Sequence, residues 1–376
     1  MSPTSFEIFG ITGADLPHPG IALASARAGG IGVLDLEFVT DPEQARTNFA
    51  RLLRSAQGRI GLRITAGQAS LARSLLISAG ERSITVILTG ASSEIGRIRN
   101  ASGVHSHHFC CAEIRSASDL EQIQSHCDAL VVRGHEAGGW VGEDSSFILL
   151  QKLSGQVHKP LYVQGGAAVR GAAACRLAGA AGLVLDDAML LMAESPLSVT
   201  LQQELARLNG AECRLFGEFH GAPCRAYARP GAQVLTDAEN DSRALEGGQS
   251  TPLEWAERMH GRIGWQSSDQ QLLPIGQSIG LAATYRDQYG NVGKLIQAVK
   301  RQSLRQMDLA AQSRFIDEGG ALADSHRTRF PIAQGPMTRV SDHAGFAGEV
   351  AKAGGLPFLA RPASRKAVGR NTRQHR

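Results

Sequence analysis

The sequence predicts an α/β protein, a (β/α)8 TIM barrel with a helical C-terminal appendage. Eight short apolar runs fall in its first half, at residues 6–10, 31–36, 59–65, 83–88, 109–114, 129–133, 160–163 and 182–185. These runs are continuous in Val, Ile and Leu rather than alternating, as in strands buried on both faces of a parallel sheet. Helix-like stretches such as 20–28, 42–55 and 118–126 lie between them, and eight strand–helix repeats are what a closed barrel needs. A doubly wound open sheet is the alternative that this order also allows.

Taken in order, the first 195 residues make the barrel, 196–326 a helical and loop appendage, and 327–376 the start of a second, incomplete barrel with a basic tail. In the appendage, 196–209 reads as helix and 213–231 as loop, with Gly, Pro, Phe and Tyr in irregular order. Residues 237–248 are polar and acidic and read as a mobile segment, while 255–264 and 294–314 read as helices. The second-barrel reading rests on an internal repeat. His18-Pro19-Gly20-Ile21-Ala22 recurs as His343-Ala344-Gly345-Phe346-Ala347, and Ala28-Gly29-Gly30-Ile31 as Ala353-Gly354-Gly355-Leu356. The offset is constant (343 minus 18 and 354 minus 29 both give 325), and Gly10 meets Gly335 at the same spacing. One strand–helix–strand unit cannot bury a core of its own.

Composition narrows the function. A net charge of +4 is too weak to argue for nucleic acid, and much of the excess sits in the tail 361–376, which reads as a solvated end. The six cysteines form no C-x-x-C pair and read as reduced, buried residues of a cytosolic protein. No basic-then-apolar leader opens the chain, and no apolar run approaches the ~18 residues of a membrane span. A cytoplasmic protein that touches neither membrane nor nucleic acid is expected. His105, His107 and His108 have no acidic or thiol partner at ligand spacing, so no metal site is expected.

The chemistry of a (β/α)8 barrel sits at the C-terminal ends of its strands, with phosphate usually bound after strands 7 and 8. Gly165-Gly166-Ala167 closes strand 7, and glycine there lets backbone N–H groups approach an anion, with a helix N-terminus behind. Asp186 and Asp187 close strand 8 at the same corner. They are counted with the cofactor positions, although two carboxylates repel phosphate and could instead cap the next helix. After strand 6 comes Gly134-His135-Glu136-Ala137-Gly138-Gly139-Trp140. Gly138 and Gly139 are candidate cofactor contacts, while His135 and Glu136 are candidates for proton handling. Arg63, ending strand 3, is a candidate counter-charge, and Gly10 a contact on strand 1.

The order of these elements resembles the nitronate monooxygenase family, FMN-dependent (β/α)8 flavoproteins formerly called 2-nitropropane dioxygenases. The resemblance rests on 130–139, on 160–166 and on 179–184 with Glu194-Ser195. Pro331-Ile332-Ala333-Gln334-Gly335-Pro336-Met337 is similar to that family's opening motif. The extended loops, with Leu273-Pro274-Ile275-Gly276-Gln277, are closer to the tandem enoyl-reductase-like domains of polyketide and polyunsaturated fatty acid synthases. The resemblance implies FMN, a small-molecule or acyl substrate, and an oxidoreductase or monooxygenase activity, with other synthase domains as partners. It also marks departures. Trp140 stands where the family usually has a catalytic histidine, Phe9-Gly10-Ile11 replaces its Pro-Met element, and Asp186-Asp187 replaces its Gly-Thr. The alternative they open is a non-catalytic or acyl-binding synthase module that has lost flavin binding.

Overall fold

The computed structural model describes residues 6–16, 18–218, 223–313 and 315–360; the basic tail at 361–376 lies outside them. The chain divides into two compact units, Met1–Leu304 and Arg305–Arg376.

The first unit is a closed barrel of eight parallel strands. In chain order these are β1 (Glu7–Ile11), β2 (Ile31–Asp35), β3 (Arg59–Ile64), β4 (Thr85–Leu88), β5 (Phe109–Ile114), β6 (Ala129–Arg133), β8 (Leu161–Gln164) and β9 (Gly182–Leu185). The barrel shuts where β1 pairs with β9, Phe9 opposite Val184. A two-residue strand, β7 (Gly139–Trp140), leaves the barrel and joins β10 (Arg214–Phe216) and β11 (Cys224–Ala226) in a separate sheet of order β10-β11-β7.

Helices α1 (Gly20–Arg27), α2 (Pro42–Ser55), α3 (Ala69–Ser78), α4 (Ile95–Ser102), α5 (Leu120–Ile123), α6 (Ser146–Ser154) and α7 (Ala172–Leu177) follow their strands. α2 shows the local logic: Asp41 caps the N-terminus by accepting from Glu43 and Gln44 N–H, Pro42 takes the first turn, and Ala45, Phe49 and Leu52 form the buried stripe. Strand alternation sorts side chains into two cores. Outward residues such as Ile8, Leu34, Leu62 and Val132 pack under the helices. Inward residues Phe9, Ile11, Ile31, Val33, Ile87, Cys111, Val131, Tyr162 and Val184 fill the barrel axis.

Beyond the barrel come α8 (Val199–Leu205), α9 (Gln233–Glu246), α10 (Pro252–Arg262), α11 (Ile279–Tyr289) and α12 (Val292–Ser313). Two expectations are corrected here. The polar stretch 237–248 falls largely in α9, because Val234, Leu235, Ala238, Ser242 and Leu245 fall on one buried face at helical spacing. The stretch 213–231 contains β10 and β11, which pair with each other, and β11 also pairs with β7, Cys224 opposite Trp140. α9, α10 and this small sheet share a satellite core around Trp255, Met259 and Phe216. All six cysteines are free and buried. Among the described residues no helix is long and apolar enough to cross a membrane.

The second unit carries α13 (Ala321–His326) and α14 (Ala344–Lys352). A parallel bridge pairs Ala333 with Leu356.

Candidate functional site at the strand C-termini

The period of two along each strand decides what stands in the barrel mouth. Val33 points inward, so Asp35 does too; Cys111 sets Glu113, Val131 sets Arg133 and Val184 sets Asp186. Arg63 joins this inward set from β3. The mouth is therefore lined by charge over an apolar axis.

These side chains pair with one another. Arg63 Nη1 lies 3.2 Å from Asp35 Oδ2 and 3.8 Å from Glu37 Oε2, and its Nη2 donates to Glu113. Arg133 Nη1 donates to Glu37 at 3.1 Å and to Glu113 at 3.0 Å, and its Nη2 donates to the Gly138 carbonyl. Arg115, partly exposed, reaches Glu113 at 2.6 Å and donates to Thr89 Oγ1 at 2.7 Å. Burial pushes the Glu113 carboxyl up, but Arg133, Arg63 and Arg115 together overcome it and hold the group well below the usual carboxylate range. Asp35 goes the other way: burial dominates over Arg63 and lifts it to about 6. Asp187 is raised well above its ordinary value by burial and by the neighbouring Asp186. Five carboxyl groups thus face three guanidinium groups, and burial with this excess of acid favours the protonated forms of Asp35 and Asp187 relative to free carboxyls.

The segment 273–278 lies across this cluster. Gly276 N–H donates to Asp187 Oδ2 at 2.7 Å, and Ser278 Oγ donates to Asp186 Oδ1 at 3.1 Å. Gln164 Nε2 donates to Asp186 Oδ2 at 3.0 Å, and Gln277 N–H to the Glu136 carbonyl at 2.8 Å. Gly138 is a glycine because of this segment: a Cβ there would stand 2.4 Å from the Pro274 oxygen and 2.7 Å from Ile275 Cα. Gly165 and Gly166, at φ +116° and +63°, make the turn after β8, and the Glu136 side chain lies 3.2 and 3.4 Å from where their Cβ atoms would be. The space left in the mouth is about 20 Å³, the room of roughly one water. Arg63 Nε and Arg133 Nε are buried beside it with no hydrogen-bond partner among the described residues.

The sequence-derived candidates divide accordingly. Arg63, Gly138, Gly139, Asp186 and Asp187 line the mouth. Gly165, Gly166 and Glu136 are neighbours of one another, and Glu136 accepts from Ser146 N–H at 3.0 Å, so it holds the start of α6. Ala167 N–H closes a tight turn onto the Gly165 carbonyl at 2.7 Å. His135 bonds through Nδ1 to the Gly142 carbonyl at 3.0 Å and its own carbonyl accepts from Arg225 Nε at 2.9 Å. Gly10 is brought elsewhere: its missing side chain makes room for Ser25 of α1, outside the barrel axis. Trp140 pairs across from Cys224, with its ring 6.3 Å from that of Phe38. Asp35, Glu37, Glu113 and Arg133 were not among the candidates. The signal that finds three of them is a charged residue ending an apolar run in phase with its inward set; Glu37, beyond β2, has no such signal.

Comparison with known proteins sets this site in context. The family described as nitronate monooxygenase matches residues 33–285. A curated relative, the (3aS,4S,5R,7aS)-5-hydroxy-7a-methyl-1-oxo-octahydro-1H-indene-4-carboxyl-CoA dehydrogenase of Rhodococcus jostii (strain RHA1), is 30% identical over 194 residues, 50% of this chain. The chain spans about half that relative's length, 53%. Among solved structures, FabK from Thermotoga maritima superposes with a TM-score of 0.68 at 20% identity, over 82% of this chain and 96% of that one. The enoyl reductase domain of MlnA from Bacillus amyloliquefaciens gives 0.62 at 9% identity, over 83% and 97%. Nitroalkane oxidase from Streptomyces ansochromogenes gives 0.54 at 18% identity, over 81% and 98%. The structural likenesses establish the barrel fold, and with the match over two thirds of its length the chain belongs to the nitronate monooxygenase family.

Proposed function

We propose that this chain keeps the barrel of a flavin-dependent oxidoreductase family but serves as a non-catalytic barrel module, its flavin seat taken by its own side chains. One observation carries this reading: the ion-paired cluster of Asp35, Glu37, Arg63, Glu113 and Arg133, roofed by 273–278, leaves about 20 Å³ at the mouth. A cofactor of FMN size needs several hundred Å³. The residues present do not fit it. Asp186 and Asp187 replace neutral donors at the phosphate corner, and Glu136 covers the glycine turn where an anion would sit. The unpartnered Nε groups of Arg63 and Arg133 are the donors left over, and no space beside them admits a flavin ring. The resemblance to synthase enoyl-reductase-like domains supports a place beside other domains of a multienzyme. The 470 Å³ cavity that Glu113 also lines is mostly polar, with Arg115, Asp119, Glu143, Asp144 and Lys152 beside Ile123, Val141 and Pro223, so it gives an acyl chain little apolar seat.

A second reading, an FMN-dependent oxidoreductase of nitronate monooxygenase type with His135 and Glu136 handling protons, is favoured by the match over 33–285. Purified chain separates the two. The module reading expects a colourless protein that does not take up FMN in a titration followed by flavin fluorescence. Stoichiometric uptake, or absorption bands near ~370 and ~450 nm, would overturn it in favour of the enzyme, and nitronate-dependent oxygen consumption would then test the activity.

A further inference from the structure

Away from the mouth, a groove of about 760 Å³ lies between α1 and α2. α1 turns one face toward it at helical spacing, with Gly20, Leu23, Ala24 and Arg27, and α2 contributes Arg51. His18, from the loop before α1, stands beside Arg51. Gly20 lets the imidazole come down on the start of the helix: a Cβ there would lie 2.9 Å from His18 Nδ1 and 2.3 Å from the Glu194 carbonyl oxygen.

The head of the groove sets two donors against each other. His18 Nδ1 accepts from Gly20 N–H at 3.0 Å, and His18 Nε2 lies 2.6 Å from Arg51 Nη1. A neutral imidazole offers one lone pair and a protonated one offers none. With Nδ1 serving Gly20, Nε2 carries a proton and faces an N–H of the guanidinium. An oxyanion beside them would take one N–H from each. The surrounding charge favours an anion over water in that role. Arg27 and Arg51 are exposed and pair with no carboxylate among the described residues. Glu194 is the one acid lining the groove, and its carboxylate accepts from Val292 N–H at 3.1 Å, at the start of α12. Burial and the Arg51 charge lower the His18 pKa, with no carboxylate acting against them.

The groove is far larger than a bare ion and falls in the range of roughly 300–1,000 Å³ of small-molecule sites. Leu23 and Ala24 give it an apolar wall. Arg27 stands seven residues beyond Gly20, roughly 10 Å along the helix. We infer that this groove binds a phosphate monoester, its phosphate held between Arg51 and His18 and its organic part lying along Leu23 and Ala24 toward Arg27. The inference rests on the groove alone and not on the function proposed for the barrel mouth.

Calorimetric titration of the whole chain at constant ionic strength tests it, with phenyl phosphate, inorganic phosphate and benzoate as probes. Phenyl phosphate should bind saturably and more tightly than inorganic phosphate or benzoate, and Arg51→Gln should weaken it at least ~10-fold. Without ligand, Arg51→Gln should leave the thermal midpoint unchanged or raise it, because it removes one of two opposed donors. Sulfate, whose charge is constant from pH 8 to 5.5, reports on the histidine. The titratable and charged groups lining the groove are His18, Arg27, Arg51 and Glu194. An anion favours the protonated imidazole, so sulfate affinity should rise as pH falls, on the order of 10-fold for one unit of pKa change, and His18→Gln should remove that rise. Absence of saturable uptake, benzoate binding as tightly as phenyl phosphate, equal affinity in Arg51→Gln, or a lowered midpoint in that ligand-free variant would overturn the inference. So would a sulfate affinity independent of pH.

Discussion

Replacing Arg63 by methionine tests the ion cluster directly. Methionine keeps the length and much of the volume, so the packing change is small and the charge change dominates. Arg63 is fully buried and pairs with Asp35 at 3.2 Å, as well as with Glu37 and Glu113. Without it three buried carboxyls share Arg133 and the partly exposed Arg115. Breaking a buried pair by removing one partner costs about 3–5 kcal/mol, so Arg63→Met should lose that much at pH 8 in urea unfolding of the chain. The loss should shrink at pH 5, because the orphaned carboxyls then take up protons, at ~1.4 kcal/mol per pH unit for each group that titrates. Adding Glu113→Gln should recover part of the loss by removing one of the orphaned charges. A loss below ~1 kcal/mol at pH 8, or one equal at both pH values, would mean that the cluster is solvated and that the mouth is more open than described.

Other outcomes follow from the same geometry. Gly138→Ala drives a Cβ into Pro274 and Ile275 backbone, so it should cost about 1–3 kcal/mol and raise the rate of limited proteolysis within 273–278. Asp35, lifted to about 6 in the fold, keeps its proton longer than in the unfolded chain. Its contribution is therefore fully present below pH ~4 and lost as pH rises through ~6, a fall on the order of 3 kcal/mol; Asp35→Asn should flatten that part of the stability–pH curve. Glu113 has the opposite sign, stabilising above its ordinary range and losing that contribution in acid. Burial pushes the thiols of Cys110, Cys213 and Cys224 up to about 12, so none of the three should react with a disulfide reagent at pH 8 until the chain is unfolded; rapid native labelling would contradict their placement.

The barrel was legible because burial on both faces writes continuous apolar runs. Phe109–Ile114, Ala129–Arg133 and Gly182–Leu185 match the sequence reading residue for residue. The appendage was less legible. β11 finds its partner in Gly139–Trp140, and a pairing over that separation leaves no local pattern. At the site, Gly138, Gly165 and Gly166 were found as places where something comes close, but sequence does not say what. The close neighbours are Pro274, Ile275 and Glu136. Arg63 is legible either as a counter-charge for a cofactor or as the partner of a nearby acid, and in the structure Asp35, Glu37 and Glu113 from two other strand ends meet its charge.

The cluster also has a consequence for the time course of folding. Arg133 and Glu37 are 96 residues apart along the chain, and Gly276 and Asp187 are 89 apart. Neither contact can form until most of the strands are in place and the appendage has folded back. Contacts of such separation come late on the path to the native state. Changes in the mouth should therefore leave the refolding rate nearly untouched and act on the rate of unfolding, so that the charged mouth works as a latch on a barrel already closed.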